Sequence, residues 1–372
     1  MMDSQKISIL IPVYRESETL EYLLRDLLLD PYPKKEIIVV VDEPTSKSFR
    51  MATKFKGKVR FYFNGIRKGK ANALNDVVNQ SSGEILLFLD ADVMIKNSDG
   101  NFLKKIVERM REAEILELKK DVARDSIIAR FVSYDYLGFS FVSWLFSHTL
   151  GKCLGFNGAA FAIKKDAFES LGGFRRVISE DLDMGIRSFQ KGFKYKFAMD
   201  LEISTKAPPS WKEWFKQRKR WGIGAAQWVK EYLRDLLKIV KSHPKILLPS
   251  LLFMFPPLPL LSIALFIPED LYIKAVYLIL LLLSTRASML LPPVAVTSAS
   301  ITLIRNIILS IGNLGAYSVI FYVLSRRMGC PFNPLEFTLF YLVYSPLWFM
   351  IVVTCIVRIY AKPEWMNVDW KV

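Results

Sequence analysis

The sequence predicts an α/β domain with a mostly parallel sheet, followed by amphipathic interface helices and a small α-helical transmembrane domain. Three observations predict it. Short apolar runs of strand length alternate with segments of helical period over the first quarter of the chain. Charge is unevenly spread: of 51 Lys+Arg and 36 Asp+Glu in 372 residues, the first 245 positions hold 43 and 31, and the last 127 hold 8 and 5. That contrast separates a water-exposed domain from a lipid-exposed one. Between them, residues 206–245 carry a net +8 of the whole-chain +15, interleaved with Trp211, Trp214, Phe215, Trp221, Trp228 and Tyr232. The same figures exclude a disordered chain, a collagen and a single soluble globule.

The elements follow in order. Ile7–Val13 is a continuous apolar strand, and Ser17–Asp30 a helix with Leu20, Leu23, Leu24, Leu27 and Leu28 on one face. Glu36–Val41 is a second strand ending at Asp42, and Val59–Phe63 a third. Gly69–Ser82 reads as a helix after a glycine turn, and Glu84–Leu89 as a strand ending in Asp90-Ala91-Asp92. In such sheets ligands sit beyond the carboxyl ends of the strands, which is where Tyr14, Asp42 and Asp90 lie. Neither a dinucleotide G-x-G-x-x-G nor a Walker-type loop is present, since Gly69-Lys70 lacks the upstream glycine and the following hydroxyl. Three cysteines form neither a disulfide framework nor a metal-ligand spacing, and His148 and His243 stand apart from each other.

Basic residues with interfacial aromatics describe helices lying on an anionic membrane face rather than a nucleic-acid patch, because hydrophobic spans follow directly. Ile246–Pro268, Asn306–Ser325 and Phe337–Val357 are uncharged and long enough to cross a bilayer. Ala275–Ile304, interrupted by Arg286 and Pro292-Pro293, reads as a fourth span or a re-entrant segment. Three domains are therefore expected: 1–205 catalytic, 206–245 interfacial, and 246–372 transmembrane with three to four helices. The positive-inside rule puts the basic stretch, and all before it, in the cytoplasm. The start of the chain has no basic n-region and too short an apolar run for a secretory signal.

Four motifs carry chemistry. Asp90-Ala91-Asp92 offers two carboxylates at a strand end, suited to a hard cation that clamps a diphosphate, or alternatively to an acidic turn. Ser179-Glu180-Asp181 precedes an apolar helix; it reads as a helix cap, as a general base, or as both. Gln217-Arg218-Lys219-Arg220-Trp221 reads as an interfacial helix face, or as a site in which Arg220 holds leaving-group charge and Trp221 stacks on a sugar or lipid head. Two small-residue segments, Gly155–Phe161 and Leu171–Phe174, allow a ligand close to the backbone or simply tight packing.

Taken in order, Ile11-Pro12-Val13-Tyr14, Val41-Asp42, Gly69–Asn75, Asp90-Ala91-Asp92, Phe156–Ala160, Leu171–Phe174, Glu180-Asp181 and Gln217-x-x-Arg220-Trp221 make a set. The set resembles the family 2 glycosyltransferases of GT-A fold, in the membrane-bound branch with cellulose, chitin and hyaluronan synthases and ceramide glucosyltransferase. It covers about residues 6–240. Each motif is modest; their order and spacing together are specific.

The resemblance implies a metal-dependent, inverting hexosyltransferase. Asp181 would be the catalytic base. Pro12, Tyr14, Glu16, Asp42, Lys70, Asp90, Asp92 and Arg220 would bind the nucleotide-sugar donor. Asp90 and Asp92 would hold Mn²⁺ or Mg²⁺, and Glu180, Gln217, Arg220 and Trp221 would shape the acceptor and diphosphate end. Arg15 departs from the family pattern, which often has Asn there. Few spans follow the catalytic domain, which favours a non-processive enzyme of the cytoplasmic membrane with a lipid-linked acceptor. The favoured reaction is mannose from GDP-mannose to a dolichyl- or polyprenyl-phosphate-type lipid. A UDP-glucose-dependent glycolipid synthase and a processive polysaccharide synthase using a UDP-sugar are the alternatives. A transporter with a nucleotide-binding regulatory domain is disfavoured, because Arg286 is the only charge inside a span.

Overall fold

A computed structural model describes residues 5–96, 100–256, 258 and 298–361. The chain forms two units, Met1–Leu248 with Met350–Val372, and Pro249–Phe349.

The first unit is built on an eight-stranded mixed sheet. Strands β1 (Ile7–Tyr14), β2 (Lys35–Asp42), β3 (Arg60–Asn64), β4 (Ile85–Leu89), β5 (Met94–Ile95), β6 (Ile115–Val122), β7 (Ala160–Lys164) and β8 (Tyr195–Thr205) lie in the order 3-2-1-4-7-6-8-5. The expected parallel part is there: β1 runs parallel to β2 and β4, and β2 to β3. The second half differs, since β7 is antiparallel to both β4 and β6. Both sheet faces are covered, which is why the first strands read as unbroken apolar runs. Along β1 and β2, Ile7, Ile9, Ile11, Ile37, Val39 and Val41 enter one core with helices α1 (Leu20–Leu29) and α4 (Phe102–Met110). Leu10, Ile38 and Val40 enter the other, with α3 (Lys70–Val78) and α6 (Lys165–Ser170). The short α2 (Ser46–Lys54) is closed by a reciprocal Thr45–Ser48 capping box.

The strand ends are in register. Tyr14 pairs with Asp42, and Asp42 with Asn64, so these three share one edge. Leu89 pairs with Ala160, and the Asp90 N–H extends that ladder to the Ala159 carbonyl at 2.8 Å. The residues before β7 are thereby held opposite the Asp90-Ala91-Asp92 turn. The hydroxyls of Ser17 and Thr19, ahead of α1, both donate to the Ala91 carbonyl at 2.8 Å and fix the same turn from the other side.

Three further helices complete this unit. Helix α5 (Ile127–Thr149) is capped by Ser126, and α7 (Glu180–Lys191) ends at a left-handed Gly192. Helix α8 (Trp211–Ser242) bends at Tyr232. Its buried residues Trp214, Arg218, Gly222 and Ala226 recur every fourth position, while Lys212, Lys216, Lys230 and Arg234 are exposed. The basic stretch is thus a two-faced helix.

In the second unit and the helix leading out of it, α9 (Pro244–Met254) is followed by α10 (Ser298–Met328), α11 (Pro334–Leu339), a π turn at Phe340–Tyr344 and α12 (Ser345–Ala361). Arg305–Met328 and Pro334–Ala361 are long and apolar enough to cross a membrane, with mean hydropathy 1.9 and 2.0. They contain the expected spans Asn306–Ser325 and Phe337–Val357. Residues 246–254 of the expected span Ile246–Pro268 fall in α9 and nearly all the rest lies outside the described residues, as does most of Ala275–Ile304.

Candidate active site

A cleft at the carboxyl end of the parallel strands is lined by Pro12, Lys70, Asp90, Gly158, Glu180 and Asp181 over a floor of Phe88, Phe161 and Phe174. Elements far apart in sequence converge here: β1, the start of α3, the end of β4, the strap before β7 and the first turn of α7.

Lys70 is the hub. Its ammonium lies 2.8 Å from Asp90 and 3.3 Å from Glu180, and donates to the Gly158 carbonyl at 3.2 Å. Burial alone would favour the neutral amine. The charges of Asp90, Glu180 and Asp181 outweigh it and hold the group well above its ordinary range. Lys70 is therefore a fixed positive charge facing two carboxylates.

Asp181 stands at the start of α7. Its Oδ1 accepts from the Leu182 N–H at 2.8 Å, and its Oδ2 from the Gly158 N–H at 3.2 Å. Burial, and then the charge of Glu180, push its carboxyl up to about 6, against the opposing pull of Lys70 and the two backbone N–H groups. A carboxylate so placed is a serviceable base near neutral pH. Ser179 does occupy the N-cap position, yet its side chain makes no capping bond; the first turn is not held by the hydroxyl in the way a cap reading expects.

The strap crosses α7 backbone to backbone. A Cβ on Gly185 would lie 2.4 Å from the Gly155 Cα, so neither helix nor strap tolerates a side chain there. Helix α8 braces α7 from the other side. The Trp228 indole N–H donates to the Leu182 carbonyl at 3.0 Å, and the Tyr232 hydroxyl to the buried Asp183 at 2.6 Å, where Arg187 also donates at 2.8 Å. A Cβ on Gly224 would meet the Ser179 hydroxyl at 2.0 Å. Breaking one bond to the buried Asp183 leaves part of a charge unsatisfied, at a cost of about 1–3 kcal/mol.

Asp92, two residues past Asp90, lies outside the cleft lining and is exposed as a residue. Burial of its carboxyl group, and then the charge of Asp90, raise it from its ordinary value. Among the described residues no third acidic, His or Cys side chain joins the pair.

At the β1–β2–β3 edge Asp42 is only 5% exposed. One oxygen accepts from Asn64 at 2.7 Å and the other from the Gly69 N–H at 2.7 Å. Gly69 has φ +81°, a conformation glycine adopts without strain. Asp42 thus pins the turn that aims Lys70. Two half-buried groups at this edge, Glu43 and Arg67, are ones the motifs did not single out. Arg67 covers the Tyr14 ring at 4.4 Å, and the Tyr14 hydroxyl donates to Glu43 at 3.0 Å. Arg15 and Glu43 are ion-paired neighbours at φ +60° and +49°, uncommon values for residues with side chains. Glu16 faces away from this group, to Lys47 at 2.9 Å.

On α8 the motif faces two ways. Arg218, not Arg220, is the fully buried cation, 2.9 Å from Asp135 of α5 and 4.5 Å over the Trp221 ring. Gln217 and Arg220 are half-buried on the same helix.

Comparison with known proteins bears on this geometry. The family model for glycosyl transferase family 2 matches residues 8–118, and that for glycosyl transferase family group 2 matches residues 85–360. The chain is 26% identical over 254 residues to the probable glycosyltransferase YdaM of Bacillus subtilis, covering 65% of this chain and 60% of that protein. It is 26% identical over 241 residues to the poly-beta-1,6-N-acetyl-D-glucosamine synthase of Staphylococcus epidermidis, covering 63% and 58%. The chain thus spans about three-fifths of the length of these relatives. Among solved structures, a mannosyltransferase from Pyrobaculum calidifontis, in complex with GDP-Man and Mn²⁺, matches 82% of this chain and 88% of its own at 19% identity and a TM-score of 0.51. That is a likeness of fold.

Proposed function

We infer that this chain, which belongs to glycosyl transferase family 2, moves a hexose from a nucleotide-sugar to a lipid-linked acceptor, with Asp181 as base. The observation that carries this reading is the Asp181 carboxylate, held by two backbone N–H groups and pushed up to about 6, in one cleft with Lys70 and Asp90. A hydroxyl acceptor gives its proton to Asp181 as its oxygen bonds to the anomeric carbon; a phosphate acceptor, already anionic, bonds through its charged oxygen and transfers no proton. The bond from that carbon to the diphosphate breaks, its electron pair leaves with the nucleoside diphosphate, and the anomeric configuration inverts. Lys70 lies where it can balance charge that grows on the leaving diphosphate. Tyr14, Glu43 and Arg67 would meet the nucleoside together with Asp42, whose two oxygens each keep a second lone pair beyond the bonds from Asn64 and Gly69.

The Asp90 and Asp92 carboxylates fit a divalent metal: they are hard oxygen donors on one turn, and a cation would offset both the burial that raises Asp92 and the charge of Asp90 beside it. They would hold Mn²⁺ or Mg²⁺, which would supply charge neutralisation at the diphosphate. Mannose from GDP-mannose is the favoured transfer, and the complex of the Pyrobaculum mannosyltransferase supports it. A dolichyl- or polyprenyl-phosphate-type lipid is the favoured acceptor. A second reading, a polysaccharide synthase using a UDP-sugar, is favoured by the likeness to the staphylococcal synthase. A donor screen on the detergent-solubilised full chain separates them. GDP-mannose with dolichyl phosphate should release GDP and give a singly glycosylated lipid. A polymer formed from a UDP-sugar without lipid would establish the second reading.

The two apolar helices and the basic face of α8 support an integral protein of the cytoplasmic membrane whose catalytic unit faces the cytoplasm. Reversing Lys212, Lys216, Lys230 and Arg234 to Glu tests the surface role of α8. In anionic nanodiscs the wild-type rate should fall about two- to five-fold from low to high salt. The reversed variant should have lost that dependence; equal salt responses would remove the role.

A further inference from the structure

One buried ionisable group close to the cleft is not used by the reaction. Glu117 lies on the interior strand β6, between β7 and β8, and is 4% exposed. Its neighbours Leu116 and Leu118 enter one core and Ile115 the other, so a side chain on the Ile115 face is expected to be apolar. A carboxylate there is costly unless it is fully bonded. It is bonded from three directions: by the Tyr195 hydroxyl of β8, by the Ser143 hydroxyl of α5 at 3.2 Å, and by the backbone N–H of Asn157.

Asn157 belongs to the strap. Its next residue, Gly158, gives its N–H to Asp181 and its carbonyl to Lys70, and Ala159 gives its carbonyl to the Asp90 N–H. The strap therefore sets base, cation and strand-end carboxylate relative to one another, and Glu117 holds it at the residue before. We propose that Glu117 is a positioning residue for the transfer: it anchors the strap that registers Asp181 with Lys70 and Asp90. This rests on the reading of Asp181 as base.

The ionisable groups facing Glu117 are Tyr195 on β8, Cys153 ahead of the strap and Asp181 on α7. Burial pushes the Glu117 carboxyl up to about 7, against the bonds from Tyr195, Ser143 and Asn157, and the Asp181 charge adds to the rise. Glu117 therefore takes up its proton before Asp181 does as pH falls, and its neutral carboxyl still accepts from the Asn157 N–H. A neutral amide of the same shape likewise keeps the anchor.

The test is kcat and donor KM of the full chain in nanodiscs on a hydroxyl-bearing, lipid-linked sugar acceptor, comparing wild type, Glu117→Gln, Glu117→Leu and Tyr195→Phe. Glu117→Leu, which removes the acceptor of the Asn157 N–H, is expected to lower kcat about ten-fold and to leave donor KM within about two-fold, because small misplacements of reacting groups are costly. Glu117→Gln, which keeps an acceptor oxygen, should recover most of that rate. Tyr195→Phe, which loosens Glu117 without touching the strap, should lower kcat by less than Glu117→Leu. A purely structural Glu117 would lower melting temperature and leave kcat of the folded enzyme in place, and that result overturns the proposal. So does a Glu117→Gln enzyme as slow as Glu117→Leu. Asp181→Asn run alongside separates the two failures: if it is fully active, the base assignment has failed; if it is slow while Glu117→Leu has wild-type kcat, only the positioning role has.

Discussion

Asp181→Asn is expected to lower kcat by about 10²–10⁴ on an acceptor that attacks through a hydroxyl. The amide keeps the shape and the two backbone contacts of the carboxylate but takes no proton. A hydroxyl holds its proton far above neutral pH, so its attack needs a base in the transition state. A lipid phosphate is already anionic, so it needs cations to seat it and little help from a base. With dolichyl phosphate the loss should be smaller, and Arg220 substitution should then raise the acceptor KM more than Asp181→Asn does. The measurement is initial rate at matched donor concentration on a lipid phosphate and on a lipid-linked sugar. The pH profile supplies the sign. Asp181 works ionised and its carboxyl lies at about 6, so on a hydroxyl acceptor the wild-type rate should be flat above that value and fall as pH drops through it. Asp181→Asn as fast as wild type on every acceptor would reduce Asp181 to a helix-start residue.

Chelation should have the other large effect. Treatment with EDTA is expected to remove transfer, and Mn²⁺ or Mg²⁺ to restore it, because a diphosphate leaving group brings more negative charge than Lys70 alone balances. Asp92→Ala should lose metal-dependent donor binding, read by titrating the nucleoside diphosphate with and without Mn²⁺. Asp92 accepts none of the bonds that Lys70 makes to Asp90, Glu180 and Gly158, so the cleft should survive the substitution. Full activity in EDTA would refute the metal assignment.

The parts legible in the sequence are those where local pattern and tertiary setting agree. β1, β2 and β4 are covered on both faces, so they read as unbroken apolar runs, and acids after such runs mark a ligand edge. The second half of the sheet does not announce itself. β6 carries Glu117, Lys119 and Lys120, and β8 carries Asp200 and Glu202, because these strands end among charged partners; Lys119 pairs with Glu202 at 2.7 Å. β5 is two residues long. Helix α5 is apolar almost all round, so it lacks the two-faced period that marks α1.

The site divides in the same way. Strand-end position identified Asp90, the start of a helix Asp181, and the family resemblance Lys70; the fold brings the three into one cleft. It did not reveal that both Asp42 oxygens are used internally, since that depends on Asn64 and Gly69 arriving from later in the chain. Glu43 and Arg67 stand out only through backbone conformation and ring contact. Arg218 and Arg220 differ by helical rotation: every fourth residue from Trp214 faces inward, and that row contains Arg218.

The end of α12 has a bearing on biosynthesis. Cys355 and Ile359 close a small apolar cluster with Ile223 and Ala226 of α8, the helix that also braces α7. A ribosome finishes Leu248 about a hundred residues before it delivers these side chains, an interval of roughly 5–20 s at ordinary elongation rates. During it, every residue of the cleft exists while Ile223 and Ala226 on α8 have Ile178 against them but not yet Cys355 and Ile359. Completion of this cluster is therefore timed by α12 rather than by synthesis of the cleft. A nascent chain arrested in that interval would present Ile223 and Ala226 to chaperones and proteases as the sign of an unfinished product.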